Sequence, residues 1–273
     1  VNSTEVTIQN AFVFEGATAD AHETTLTVVD PTADRTLTLP NESGDVIVGK
    51  KEGTNFSQSL LIGHSTTGTL NSANSNTGVG IAALDNLSAG DFNTALGNEA
   101  VSSVSTTRYN TGLGYRALKN TSGESNTAVG AVALFGTYGG NFNTAVGRNA
   151  LTTNNTGDYN VALGHESGKL ITSDTANYNL TIGTFAGDNL TTGAGNVIIG
   201  SVDAASATGD RQLKIAGYDG STTTTWISGD SSGVVTATLA ANTITSTQLA
   251  SATTLLILNS SGSTLKTIIG AGS

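Results

Sequence analysis

A five-residue core recurs at nearly fixed spacing through the middle of the chain, and this limits the fold more than any other feature. It reads Asn, Thr or Val, a small residue, Val or Leu, then Gly. Its copies run Asn76 to Gly80, Asn93 to Gly97, Asn110 to Gly114, Asn126 to Gly130, Asn143 to Gly147 and Asn160 to Gly164. Looser copies are Asn179 to Gly183 and Asn196 to Gly200, and Ser59-Leu60-Leu61-Ile62-Gly63 falls in the same register upstream. The closing glycines, at 63, 80, 97, 114, 130, 147, 164, 183 and 200, are spaced by 17, 17, 17, 16, 17, 17, 19 and 17 residues. A helical-pair repeat needs about 34 to 40 residues, and Gly, Asn and Thr at fixed places disfavour helix. One coil of a parallel β-solenoid fits, with two strands of about five residues and two short turns. The chain is therefore expected to be all-β, with about nine coils.

Each motif position then has a physical reading. Thr and Val or Leu alternate along a strand and face one way, while the small residue and Gly face the other. The small side must be tight, with room only for Ala, Gly or Thr. The other side forms an apolar ladder of Ile62, Val79, Leu96, Leu113, Val129, Val146, Leu163, Ile182 and Ile199. Asn at the corner tolerates left-handed backbone, and stacked Asn side chains can pair from coil to coil. Gly closes the strand where a Cβ would clash or φ must be positive. An Ala-Leu or similar pair follows several glycines, as Ala83-Leu84, Ala100-Val101, Ala117-Leu118, Ala133-Leu134 and Ala150-Leu151. An aromatic precedes several of the Asn residues: Phe92, Tyr109, Phe142, Tyr159 and Tyr178. A packing ladder explains that series better than a binding stripe, because stacked equivalents need no further cause. If Ala and Gly fill the interior of a thin coil, the Val/Leu ladder points outward. A stripe of that length needs covering, and a symmetric partner is the simplest cover.

Composition agrees with a narrow β structure. The 273 residues include 34 Gly, 2 Pro and only 5% aromatics, too few large apolar side chains for a thick core. The net charge is −10, with nine acids against three bases in residues 1–52, nine against five in 53–203, and three against three in 204–273. No basic stripe exists, which argues against nucleic-acid binding. Cys is absent, so disulfides and thiolate metal sites are excluded. No apolar run is long enough to be expected to cross a membrane as a helix.

The Asn-x-Ala-Val/Leu-Gly core over residues 59–200 resembles the trimeric left-handed β-roll of trimeric autotransporter adhesin heads, and bacteriophage tail fibres that reuse such repeats. The stretches Glu23 to Pro40, Asn41 to Val48, Trp226 to Asp230 and Thr254 to Gly262 look like segments of marine and cyanobacterial phage fibre proteins. The resemblance implies a homotrimer on the virion surface, extracellular, on the tail or capsid exterior. It implies a virion protein as partner at one end and a host-surface receptor, such as a glycan, as the other. An adhesin of the autotransporter kind would carry a leader and a C-terminal membrane barrel, and neither pattern is visible.

Three parts are expected: a β attachment segment at 1–52, a repeat shaft at 53–203 and a β tip at 204–273. Residues 24–29 and 35–39 alternate Thr with Leu or Val, the period of a half-buried strand. Residues 30–34 read as the turn between them, and 45–48 as a third strand. In the tip, strand-like runs occupy 223–228, 233–239 and 254–258, and Leu213 to Gly217 keeps the repeat spacing without the Asn. Trp226, the only Trp, is expected to pack between strands, with sugar stacking as the sharper alternative.

Catalytic patterns fail on inspection. Gly229-Asp230-Ser231-Ser232-Gly233 matches a nucleophile elbow, but no helix is expected after it and all three histidines lie upstream. His22, His64 and His165 lack metal-ligand spacing. Asp91 and Asp158 occupy equivalent repeat positions, which suggests a turn role rather than an acid/base pair. No cofactor is expected. The reading is a non-enzymatic virion fibre that attaches to host cells by multivalent binding. A capsid decoration without a receptor role and the head of a bacterial adhesin stand as alternatives, and a glycan depolymerase as a reading of another class.

Overall fold

A computed structural model describes residues 11–14, 24–27, 50–53, 56–62, 70–237, 254–258 and 264–269. The chain divides into two compact units, Val1–Val46 and Ile47–Ser273. In the first, β1 (Ala11–Phe14) pairs antiparallel with β2 (Thr24–Thr27), so part of the expected strand at 24–29 is present. The expected turn at 30–34 and strands at 35–39 and 45–48 lie outside the described residues.

The second unit is built on one continuous 13-stranded sheet. It opens with β3 (Lys50–Gly53) and β4 (Phe56–Ile62) as an antiparallel pair. From β4 the strands follow one another in parallel, one per repeat: β5 (Thr77–Val79), β6 (Thr94–Leu96), β7 (Thr111–Leu113), β8 (Thr127–Val129), β9 (Thr144–Val146), β10 (Val161–Leu163), β11 (Leu180–Ile182) and β12 (Val197–Ile199). Register is strict, each motif position lying beside its equivalent in the next coil, as with Thr77, Thr94 and Thr111. The parallel run ends on β13 (Leu213–Tyr218), which pairs with β12. There the chain reverses into β14 (Thr223–Gly229) and β15 (Val235–Ala237), both antiparallel. A separate hairpin joins β16 (Thr254–Leu258) to β17 (Thr264–Ile269). Among the described residues there is no helix, and the nine repeats form the β-solenoid that their spacing dictates.

Each coil departs from the expected pair of five-residue strands. From β5 to β12 it has one three-residue strand, and its other bonded run is a series of tight turns. After the closing glycines from Gly80 to Gly183, alternate residues are left-handed, such as Ala82 (φ 56°) and Leu84 (φ 58°), or Glu99 (φ 54°) and Val101 (φ 50°). This alternation aims successive N–H groups at opposite neighbouring coils. The Glu99 N–H donates back to the Ile81 carbonyl, and the Val101 N–H donates forward to the Ala117 carbonyl. The turn thus does the work of a strand, and it buries two consecutive residues. Ala83 and Leu84, like each Ala-Leu pair after them, lie wholly inside.

The interior is a set of stacked rows. The strand-centre row runs Ala95, Ala128, Ala145, Ala162, and the facing row runs Leu84, Val101, Leu118, Leu134, Leu151. The expectation that only small residues fit the strand-centre row fails at both ends, where Leu61 and Ile198 occupy it fully buried. The room for Leu61 comes from a glycine: a Cβ on Gly78 would lie 2.4 Å from Leu61 Cδ2. Against Thr181 the facing row shrinks to Gly168 and Gly187, where an added Cβ would lie 3.1 Å from Thr181 Oγ1 and 3.0 Å from Thr181 Cγ2, tight distances in a close-packed core.

Candidate functional site

The motif Asn residues are structural, in a way that corrects one expectation. None of them is left-handed; the residue before each one is: Ser75, Phe92, Tyr109, Ser125, Phe142, Tyr159, Tyr178 and Gly195 all have φ between 56° and 67°. The Asn side chains turn inward and are buried. Each Oδ1 accepts the backbone N–H of the Asn in the next coil, at 2.9 Å from Asn93 to Asn76 and 2.9 Å from Asn160 to Asn143. Each Nδ2 of the central coils donates across its own coil to a carbonyl, as Asn143 does to Gly157 at 2.8 Å. The ladder runs through Asn76, Asn93, Asn110, Asn126, Asn143, Asn160, Asn179 and Asn196. Ser59 Oγ starts it by accepting from the Asn76 N–H, and Gln212 ends it by donating to Asn196.

The glycines Gly80, Gly97, Gly114, Gly130, Gly147, Gly164, Gly183 and Gly200 all have positive φ, between 109° and 136°. They do not face the interior as expected. A Cβ on Gly147 would point along the stack and lie 2.4 Å from the Gly164 carbonyl oxygen. Only Gly permits the coils to approach at this corner.

Two lines of side chains are left on the surface. The first is the Val/Leu ladder. Ile62, Val79, Leu113, Val129, Ile182 and Ile199 are half-buried, while Leu96, Val146 and Leu163 are exposed, Leu96 by 52%. The second is aromatic. Phe92 stacks on Tyr109 with centroids 5.1 Å apart, and Phe142, Tyr159 and Tyr178 stack in series at 4.9 Å, all within 4° of parallel. The rings pack as a ladder and also stay open to solvent, so packing and exposure coincide. The stack is interrupted at Ser125.

The motifs set aside in the sequence behave as turns. Asp91 and Asp158 accept the N–H groups of Asn74 and Asn141 in the preceding coil. In the Gly229 to Gly233 segment, Asp230 accepts from the N–H and hydroxyl of Ser232 and from the Val234 N–H, making the turn between β14 and β15. His165 sits at the surface beside Arg148 and Glu166, edge-on to Phe185. His22 and His64 lie outside the described residues.

Two clefts, which sequence patterns did not reveal, lie where the solenoid meets the β13–β14 hairpin. One, of about 430 Å³, is lined by Phe185, Asp188, Val202, Asp203, Lys214 and Thr223. Burial first, then a hydrogen bond and the charge of Asp203, push the Asp188 carboxyl up to about 6. The other, of about 370 Å³, is lined by Gly217, Tyr218, Asp219, Thr222, Thr224 and Trp226. Trp226 is not packed between strands as expected. It is the extra residue of a β-bulge opposite Ile215 and Ala216, and its side chain is 52% exposed.

No family model, curated protein or solved structure matches the chain.

Proposed function

We propose that the chain is the subunit of a non-enzymatic homotrimeric fibre on a virion exterior, with attachment to a host surface as its role. The observation that carries this reading is the outward Val/Leu ladder. It repeats without a charged residue from β4 to β12 and stays open on a single chain. An apolar stripe of that length calls for a cover. Its side chains recur at the inter-strand spacing of roughly 4.8 Å, and an identical ladder is the surface that matches that spacing along its whole length. A second and third copy of the chain are such surfaces, and rotational symmetry closes the set.

The resemblance of the repeat to a trimeric left-handed β-roll favours three copies. The flanking resemblance to phage fibre proteins favours a virion protein as partner at one end and a host receptor at the other. Three copies per fibre turn weak contacts into avidity. Light scattering of the purified chain tests the assembly. A mass near three times 27.4 kDa is expected, and a stable monomer at micromolar concentration overturns the trimer. Antibody labelling of particles in electron microscopy separates a tail fibre from a capsid decoration.

A further inference from the structure

We propose that the cleft beside Trp226 is a binding site for a neutral sugar ring. The local structure keeps an indole face open at some cost. A regular β13–β14 pairing would set Trp226 opposite a partner, but the bulge makes it surplus to the ladder. Gly217 lies beneath the ring, where a Cβ would come within 2.6 Å of Cζ2 and 2.8 Å of Cη2. The indole therefore lies against the β13 backbone at Gly217, with much of its surface in solvent. Tyr218, also about half exposed, borders the same cleft.

The rim is polar and already rigid. Asp219 accepts the Ser221 and Thr222 N–H groups at 2.9 and 2.8 Å and the Ser221 hydroxyl at 3.1 Å, which fixes the hairpin tip. Tyr218 donates its hydroxyl to the Gly220 carbonyl at 2.8 Å. Thr222 and Thr224 also line the cavity. An aromatic platform with hydroxyls and one carboxylate on its rim suits a ligand with an apolar C–H face and hydroxyl edges. A pyranose ring has both. Its hydroxyls can donate to the free lone pairs of Asp219. The Thr222 N–H, the Ser221 N–H and the Ser221 hydroxyl, all donors to that carboxylate, hold it ionised, so a phosphate or an acidic sugar meets a like charge at the rim. The cavity volume of about 370 Å³ is of the order of one or two sugar units.

This inference deepens the attachment reading and rests on it for its biological meaning, but its test stands apart. Trp226 is the only Trp in the chain, so its emission reports the cleft directly. The full chain is titrated with lactose, cellobiose, maltose and chitobiose, with glucuronate as the acidic control. A saturable shift of Trp emission is expected for at least one neutral disaccharide, in the millimolar range, and none for glucuronate. By calorimetry, Trp226→Ala should weaken that binding about tenfold, the loss of one stacking contact, while Trp226→Phe should retain most of it. Emission unmoved by every neutral sugar overturns the site. So does a Trp already shielded from acrylamide in the free protein, which would mean that another copy covers the ring. A chain that adsorbs to cells without any sugar-dependent shift sinks the cleft and leaves attachment standing. A clear shift in a chain that does not adsorb does the reverse.

Discussion

At the residue scale the Asn ladder and the aromatic ladder share one corner and divide its tasks. The buried Asn needs ordinary φ so that its amide reaches both the next coil and its own coil. The left-handed strain falls on the residue before it, which is costly for a non-Gly side chain, and ring stacking offsets that cost. Both ladders were legible in the sequence as recurring positions. Which residue was left-handed was not, because Asn is itself the common non-Gly choice there. Asn143→Ala would leave the buried Asn160 N–H without its acceptor and take from the buried Gly157 carbonyl one of two donors, the Asn154 amide remaining. The orphaned N–H costs about 1–3 kcal/mol, so a clearly lowered urea midpoint is expected. Ser125→Tyr tests the other ladder. Ser125 has φ 59°, the value its aromatic equivalents adopt, so the substitution adds no new backbone strain. A ring there would join Tyr109 to Phe142 and add about 0.5–1.5 kcal/mol per new stacked pair. The melting temperature should rise, and a fall would show that the gap is already filled.

At the scale of the coil, periodicity gave the repeat length, the parallel register and the outward ladder. It did not give the turn-built second run, because alternating left- and right-handed residues carry no propensity signature; Val101 and Val132 are β-branched and still left-handed. Nor did it give the fit of Leu61 over Gly78, its neighbour in the same row, or of Thr181 against Gly168 and Gly187, which requires knowing which rows face each other. The last coil was the least legible, since Asp188 and Asp203 are neighbours only once the coil is wound. Burial and Asp203 raise the Asp188 carboxyl from 3.8 to about 6, with Glu166 also raising it and Lys169 opposing. A folded-state value above the unfolded one means that the folded chain holds the extra proton between them. This contribution to stability is complete below pH 3.8 and is lost as pH climbs through about 6. Hydrogen exchange at the Gly187 N–H, which donates to the Val202 carbonyl, should therefore quicken beyond its intrinsic pH dependence between pH 4.5 and 7.5. In Asp188→Asn that excess should vanish. An unchanged profile in the variant would show that the pair does not control the end of the solenoid.

For the whole molecule, the question is what keeps an open ladder soluble. Within one chain the inward rows are closed by stacking, and the backbone groups of each described coil bond to the coils on either side. Folding of the solenoid therefore does not require the outward row, whereas the proposed assembly does. The two can be separated by substitution. Val146 and Leu163 project outward from adjacent strands β9 and β10 and are exposed on the single chain. Replacing both by Glu removes no interior contact, and like charges directly opposite one another across two strands cost only a few tenths to about 1 kcal/mol. In a trimer the same change would set six carboxylates around one shared axis, where desolvated like charges are far more costly. The double variant should keep its β circular dichroism and lose its trimer mass at the same concentration. If mass is kept, the ladder is not the contact, and the aromatic stripe becomes the surface to substitute next. If the β signal and the mass are lost together, coil and assembly form one cooperative unit, and the single-chain solenoid has no stability of its own.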